Sequence, residues 1–249
     1  LKQKIVEICC DSLEDVIISE RAGADRVELN NSMHLGGLTP SIGTIKLATE
    51  RCSIPIIVMA RPRGAGFCYN EYQFDTMIAD IKEMVKYDIA GVAFGCLTTD
   101  KRIDVFKTEK IIEILKKHKK EVVFHRAFDS AADPYESIEV LIELGVDRIL
   151  TSGQKPKAID GIDLLKDLQE KYGAQIEILA GSGVNESNVE ELIDATGVKQ
   201  YHSSAKRYKV DPTTIGNVSY SYLDDPNENS YNVVSFDKVK DIVEIVKEK

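Results

Sequence analysis

Tryptophan is absent from these 249 residues, and only four histidines and four methionines are present. The missing tryptophan excludes nothing, but other shortages do. No apolar run approaches the roughly 20 residues of a bilayer-spanning helix, so no membrane partner is expected. Leu1-Lys2-Gln3-Lys4 leads directly into an apolar segment, so no secretory leader is expected either. Basic charge is outweighed: 41 acidic against 32 basic side chains leave a net charge of −9. That balance argues against nucleic acid or an anionic membrane as a broad-face partner. Five cysteines are too few for a disulfide framework in a chain of this size, and reduced thiols in a cytoplasmic protein fit best. No Cys-x-x-Cys, His-x-x-x-His or local Cys/His cluster occurs. Any metal site must therefore be assembled across distant segments, from residues such as Cys9, Cys96, His125 and His202.

What is present is an alternation. Short apolar runs rich in Val and Ile give strands expected at 5–10, 25–29, 55–60, 90–95, 121–125, 147–151, 176–180 and 199–203. Helical spacing fills the intervals at 12–22, 40–51, 71–87, 104–119, 133–144, 159–172 and 186–194, with a last helix at 235–248. Glycine follows the helix in Ala22-Gly23-Ala24-Asp25, Leu144-Gly145-Val146-Asp147 and Ala195-Thr196-Gly197-Val198, as helix C-termini favour. Cys10-Asp11-Ser12-Leu13, after the first strand, lacks the glycines of a dinucleotide-binding turn, which disfavours an open doubly wound sheet. Strict repetition favours closure: an α/β fold, a single (β/α)8 TIM barrel with parallel strands, forming one domain over residues 1–249. Hydrophobic residues are 43% of the chain, enough for the core this requires. Residues 205–234 break the rhythm with a loop rich in Ser, Asn, Asp and Tyr between strand eight and the last helix. Such a loop is read either as a lid or as a subunit contact.

In a parallel barrel the residues at the carboxyl ends of the strands share one mouth. On the first strand Glu7 and Cys9 share one face and Cys10 lies on the other. A charge is not tolerated under a helix layer, so Glu7 and Cys9 are expected to point inward. Cys9 reads equally well as a small buried apolar residue. Glu28, at the end of strand two, could take a proton, hold a metal or pair with an inward arginine. Arg61-Pro62-Arg63-Gly64 presents two guanidinium groups on one face of an extended segment, a pattern suited to an anion. His125-Arg126 with Asp129 is the strongest candidate for acid-base work, the carboxylate fixing the ring's tautomer; a hydrogen-bond network capping the barrel is the alternative. Ser152 follows strand six, while Gly181-Ser182-Gly183 and His202-Ser203 end strands seven and eight, where many barrels hold phosphate. One enzymatic reading follows: a lyase, aldolase or isomerase acting on a small anionic or phosphorylated metabolite. Glu28, His125 and Asp129 would be catalytic, and Arg61, Arg63, Arg126, Ser152, Gly181, Gly183, His202 and Ser203 would bind the anion.

Several segments together resemble the CutC family, the copper homeostasis proteins. They run Glu7-Ile8-Cys9-Cys10-Asp11-Ser12, Gly23-Ala24-Asp25-Arg26-Val27-Glu28-Leu29 and Gly36-Gly37-Leu38-Thr39-Pro40-Ser41. Arg61-Pro62-Arg63-Gly64, Phe124-His125-Arg126-Ala127-Phe128-Asp129, Leu150-Thr151-Ser152-Gly153 and His202-Ser203-Ser204-Ala205 complete the set, which spans nearly the whole chain in order. The resemblance implies a barrel, a cytoplasmic and homo-oligomeric protein, and copper handling with Cu(I) as the ion. It implies Cys9 as the metal ligand, a soft donor suited to Cu(I). After Glu28-Leu29, family members commonly carry a second cysteine, whereas this chain has Asn30, which cannot supply a thiolate.

Overall fold

The computed structural model describes residues 3–249. Strands β1 (Ile5–Cys10), β2 (Arg26–Leu29), β3 (Ile56–Met59), β4 (Gly91–Phe94), β5 (Glu121–Phe124), β6 (Arg148–Thr151), β7 (Glu177–Gly181) and β8 (Gln200–Ser203) are all parallel. They close into a barrel when β8 pairs with β1. Helices α1 (Leu13–Arg21), α2 (Ile42–Arg51), α3 (Glu71–Met84), α4 (Val105–Lys117), α5 (Pro134–Glu143), α6 (Ile162–Tyr172) and α7 (Val189–Thr196) alternate with them, and α8 (Phe236–Glu248) completes the outer ring. Their starts have local causes. The Ser12 hydroxyl accepts from the Asp15 amide ahead of α1, and Asn70 and Gln73 form a capping box ahead of α3. Pro134 opens α5, where its missing N–H costs nothing.

The main core lies between the outer strand faces and the helices. Ile8, Val27, Val58, Phe94 and Phe124 meet Val16, Ile45, Met77, Ile111 and Leu141 there, all excluded from water. Cys10 belongs to this layer, its Sγ 3.4 Å from Ser19 Oγ, while Glu7 and Cys9 point into the lumen as the alternation requires.

The lumen has two characters. Ile57, Met59, Ala93 and Val123 from β3 to β5 form a small apolar plug. On the opposite side, register puts Glu7 beside Arg26 of β2 and beside His202 of β8. Arg26 Nε donates to one Glu7 oxygen and its Nη2 donates to Gln200 at 2.7 Å. His202 Nδ1 lies 2.7 Å from the other Glu7 oxygen. At the amino end of the barrel Arg148 pairs with Glu121 and Glu177 at 2.9 and 3.1 Å. Glu7, Arg26 and Arg148 survive burial because each has a hydrogen-bonded partner of opposite sign.

Residues 205–234 are not one loop. They contain an antiparallel ribbon of β9 (Lys206–Val210) and β10 (Ser230–Val234), anchored to the barrel where the Val234 amide donates to Asp15 at 2.7 Å. The β9 segment is exposed along its whole length, so it carries no apolar alternation that would mark it as a strand. Beyond the ribbon, Tyr222 stacks on His34 with ring centroids 4.8 Å apart, which brings this segment over the β1–β2 side of the mouth.

Truncating Glu7 strands the Arg26 charge in the lumen. Glu7→Ala is expected to cost about 3–5 kcal/mol in urea unfolding. A cost below 1 kcal/mol would show that the lumen charges relax independently.

Candidate functional site

The carboxyl ends of the strands enclose a cavity of about 440 Å³ lined by residues that include Cys9, Glu28, Met33, Arg61, His125, Arg126, Asp129 and His202. One wall comes from β1, β2 and β8. Register sets Cys9 opposite Glu28, with Cys9 Sγ 3.9 Å from Glu28 Oε2. The Asn30 amide group donates to Glu28 Oε2 at 2.8 Å and to Cys9 Sγ at 3.4 Å, holding both in place. His202 Nε2 lies 4.0 Å from Glu28 Oε2. The candidate ligand atoms of Cys9, Glu28 and His202 thus all fall within 4.8 Å of one another, and all three residues are buried. Met33, on a short turn after β2, adds its thioether sulfur 3.4 Å from Cys9 Sγ.

Charge on this wall is set by burial and neighbours. Burial opposes ionisation of Glu7, but the Arg26 charge and the His202 hydrogen bond outweigh it and hold the carboxyl well below its usual range. Ionised Glu7 can only accept, so His202 Nδ1 donates to it and Nε2 is the nitrogen left facing Glu28 and Cys9. Burial works against a charged His202 ring, but Glu7 and Glu28 raise its pKa above the ordinary value. Burial pushes Glu28 upward, as does Glu7's charge, and it pushes the Cys9 thiol well up, with Glu28 adding to the effect.

The opposite wall is built on His125. The Ala127 amide donates to its Nδ1 at 3.1 Å, so the neutral ring carries its proton on Nε2, which has no partner among the described residues. Gly95 permits this placement: a Cβ there would meet the His125 ring and Ala127 at 2.6–2.7 Å. Burial first, then the Arg61 charge, drive the ring's pKa down to about 3. His125 is therefore neutral at neutral pH, with its Nε2–H as an unpartnered hydrogen-bond donor among the described residues.

Asp129 does not orient that ring. Its carboxylate accepts from Arg126 Nε at 2.8 Å, Thr151 Oγ1 at 2.6 Å, the Ser152 amide at 3.0 Å and the Gln154 amide at 3.2 Å. This knot clamps the end of β5 to the end of β6, the capping network held as the alternative.

The two arginines after β3 do not aim together at the mouth either. Arg61 reaches the cavity wall, but its Nη atoms donate to the carbonyls of Leu35, Gly37 and Ala65 at 2.9, 3.0 and 2.6 Å. Arg63 donates to the carbonyls of Gly64, Gly66 and Cys68 at 2.8–2.9 Å and lies outside the cavity. Both guanidinium groups satisfy loop carbonyls that would otherwise lack donors.

At the ends of β7 and β8 the expected anion-binding segments lie against other side chains. The Lys157 side chain covers Gly183, and a Cβ at Gly181 would lie 2.5 Å from Leu150 and 3.2 Å from His202. The Ser203 hydroxyl donates to the Val184 carbonyl at 2.6 Å, and none of Gly181, Gly183 or Ser203 lines the cavity. Cys96 packs in the outer core, away from Cys9. Met33, Gly95 and Lys155 carried no sequence signal: they sit singly in turns or at a strand end, outside any periodic pattern.

A sequence model described as the CutC family matches residues 4–207. A CutC family protein of Treponema denticola is 40% identical over 98% of this chain and 99% of its own length. The human copper homeostasis protein cutC homolog is 37% identical over 81% of this chain and 73% of its own. A crystal structure of a CutC protein from Streptococcus agalactiae superposes with a TM-score of 0.76 at 34% identity, covering 81% of this chain and 99% of that one.

His125 gives a titration that can be checked. The unfolded chain takes up this proton below about pH 6.5, whereas the folded protein takes it up only near pH 3. Stability contributed by the neutral ring is therefore present above pH 6.5 and falls as the pH drops, by about 2 kcal/mol at pH 5. Long-range 1H–15N spectra should show the Nε2–H tautomer of His125 unchanged from pH 7 to 5; a ring titrating near its ordinary value contradicts the assignment.

Proposed function

This chain belongs to the CutC family, and on that premise we propose that it takes up Cu(I) as cargo at the Cys9, Met33 and His202 corner of the barrel mouth. One observation carries the proposal: a buried thiol, imidazole nitrogen and carboxylate converge within 4.8 Å, with a thioether 3.4 Å from the thiol. Thiolate and thioether select Cu(I) among the common cellular ions, and imidazole is compatible with it. Glu7 hydrogen-bonds the far nitrogen of His202, the arrangement that fixes ring orientation and raises ligand basicity at protein metal sites. Asn30 supplies no second thiolate but positions the one present. Because burial holds Cys9 protonated, uptake of the ion must expel that proton.

Free thiols and Cu(I) both suit a reducing compartment, which supports a cytoplasmic location on this reading. Self-association belongs to the same reading, and Tyr208, Val210, Val218 and Tyr220, on and beside the ribbon, supply exposed apolar surface for it. Light scattering on the purified protein should report a particle larger than one 27.7 kDa chain; a monomer at all concentrations removes that part.

Anaerobic competition against a chromogenic Cu(I) chelator tests the site. One ion per chain is expected, with affinity reduced about 100-fold or more in Cys9→Ser and about 10–100-fold in Glu7→Gln, which touches no metal. Affinity should rise with pH near neutrality, because the Cys9 thiol and a protonated His202 ring must both give up their protons to bind the ion. Equal binding by native protein and Cys9→Ser would sink the proposal.

A further inference from the structure

We infer that the same cavity binds a small hydroxycarboxylate, with its carboxylate on the β5–β6 wall and its hydroxyl groups toward Glu28. This goes beyond the copper reading and does not depend on it. The β5–β6 wall offers donors that Asp129, its acid, leaves unpaired. His125 is 3% exposed, lines the cavity, and its Nε2–H has no partner among the described residues. A buried donor left unpaired costs about 1–3 kcal/mol, which a ligand oxygen would recover.

Two cations flank it. Arg126 spends Nε on Asp129 and Nη2 on Ser152, which leaves Nη1 free among the described residues. Lys155 also lines the cavity; its carbonyl accepts from Ser152 Oγ, and its side chain has no hydrogen bond or ion pair among the described residues. Asp129, the acid on this wall, is saturated by Arg126, Thr151 and backbone amides and so does not neutralise Lys155. Carboxylate suits this set better than phosphate, because Gly181, Gly183 and Ser203 at the ends of β7 and β8 do not line this cavity.

The facing wall fixes the other end. Glu28 Oε1 is buried without a partner among the described residues and lines the same cavity. As an acceptor it repels a second carboxylate and favours a hydroxyl donor. Met59 and Leu150 line the same cavity and give a short carbon chain apolar surface. A cavity of about 440 Å³ lies within the range of small-metabolite pockets.

Calorimetric titration of the protein without copper tests the inference, with gluconate and lactate as probes. Sorbitol removes the charge, hexanoate removes the hydroxyl groups, and inorganic phosphate tests the competing anion. At least one hydroxycarboxylate is expected to bind, with the uncharged and unhydroxylated controls about tenfold weaker or worse. Lys155→Gln, an exposed change, should weaken binding about tenfold without moving the melting temperature, and Arg126→Gln should weaken it further. The inference is overturned if neither probe binds, if sorbitol or phosphate binds as well, or if Lys155→Gln binds like the native protein. Because copper is absent, these outcomes leave the Cu(I) proposal to stand or fall on its own titration.

Discussion

Glu7 is the group on which the mouth of this barrel depends. It sits in the lumen with one oxygen on Arg26 and the other on His202, so a single carboxylate ties β2, β1 and β8 together at the seam where the barrel closes. An isolated ionised carboxylate would not survive there; the two partners make it cheaper to keep the charge than to protonate it. The consequence reaches the chemistry directly. Glu7 holds the Nδ1 proton of His202, which leaves the other nitrogen facing Glu28 and Cys9.

Across the cavity, positive charge does the equivalent work. Arg61 is 5% exposed and bound to three loop carbonyls, so its charge is fixed in place without an acidic partner. Burial, and then that charge, keep the His125 ring neutral. The two histidines of the mouth are thus driven in opposite directions by their surroundings, His202 toward a second positive charge and His125 away from one. A cation is favoured on the first wall and an anion on the second, within one cavity.

Much of this was legible in the sequence, for reasons that differ by element. Apolar runs such as Val122-Val123-Phe124 read as buried parallel strands because both faces of a barrel strand avoid water. Period-two alternation was enough to send Glu7 and Cys9 inward and Cys10 outward. What alternation cannot show is who satisfies whom across the barrel. Arg61 and Arg63 resemble anion ligands because loop carbonyls leave no mark in a sequence, yet those carbonyls take the Nη donors of both and leave Arg61 Nε without a partner among the described residues. Asp129 looked like the partner of His125 from chain proximity, whereas the knot it forms is with β6. Met33 was invisible, since a single methionine in a short turn has no period to betray it.

Copper K-edge X-ray absorption on the anaerobically Cu(I)-loaded protein measures the central claim most directly. A shell of sulfur plus one imidazole nitrogen, with the nitrogen lost in His202→Gln and the sulfur reduced in Met33→Leu, is the result that follows from the Cys9, Met33 and His202 corner. A sulfur-only spectrum unchanged in both variants would contradict it, and would point instead to the more accessible thiols of Cys52 and Cys68.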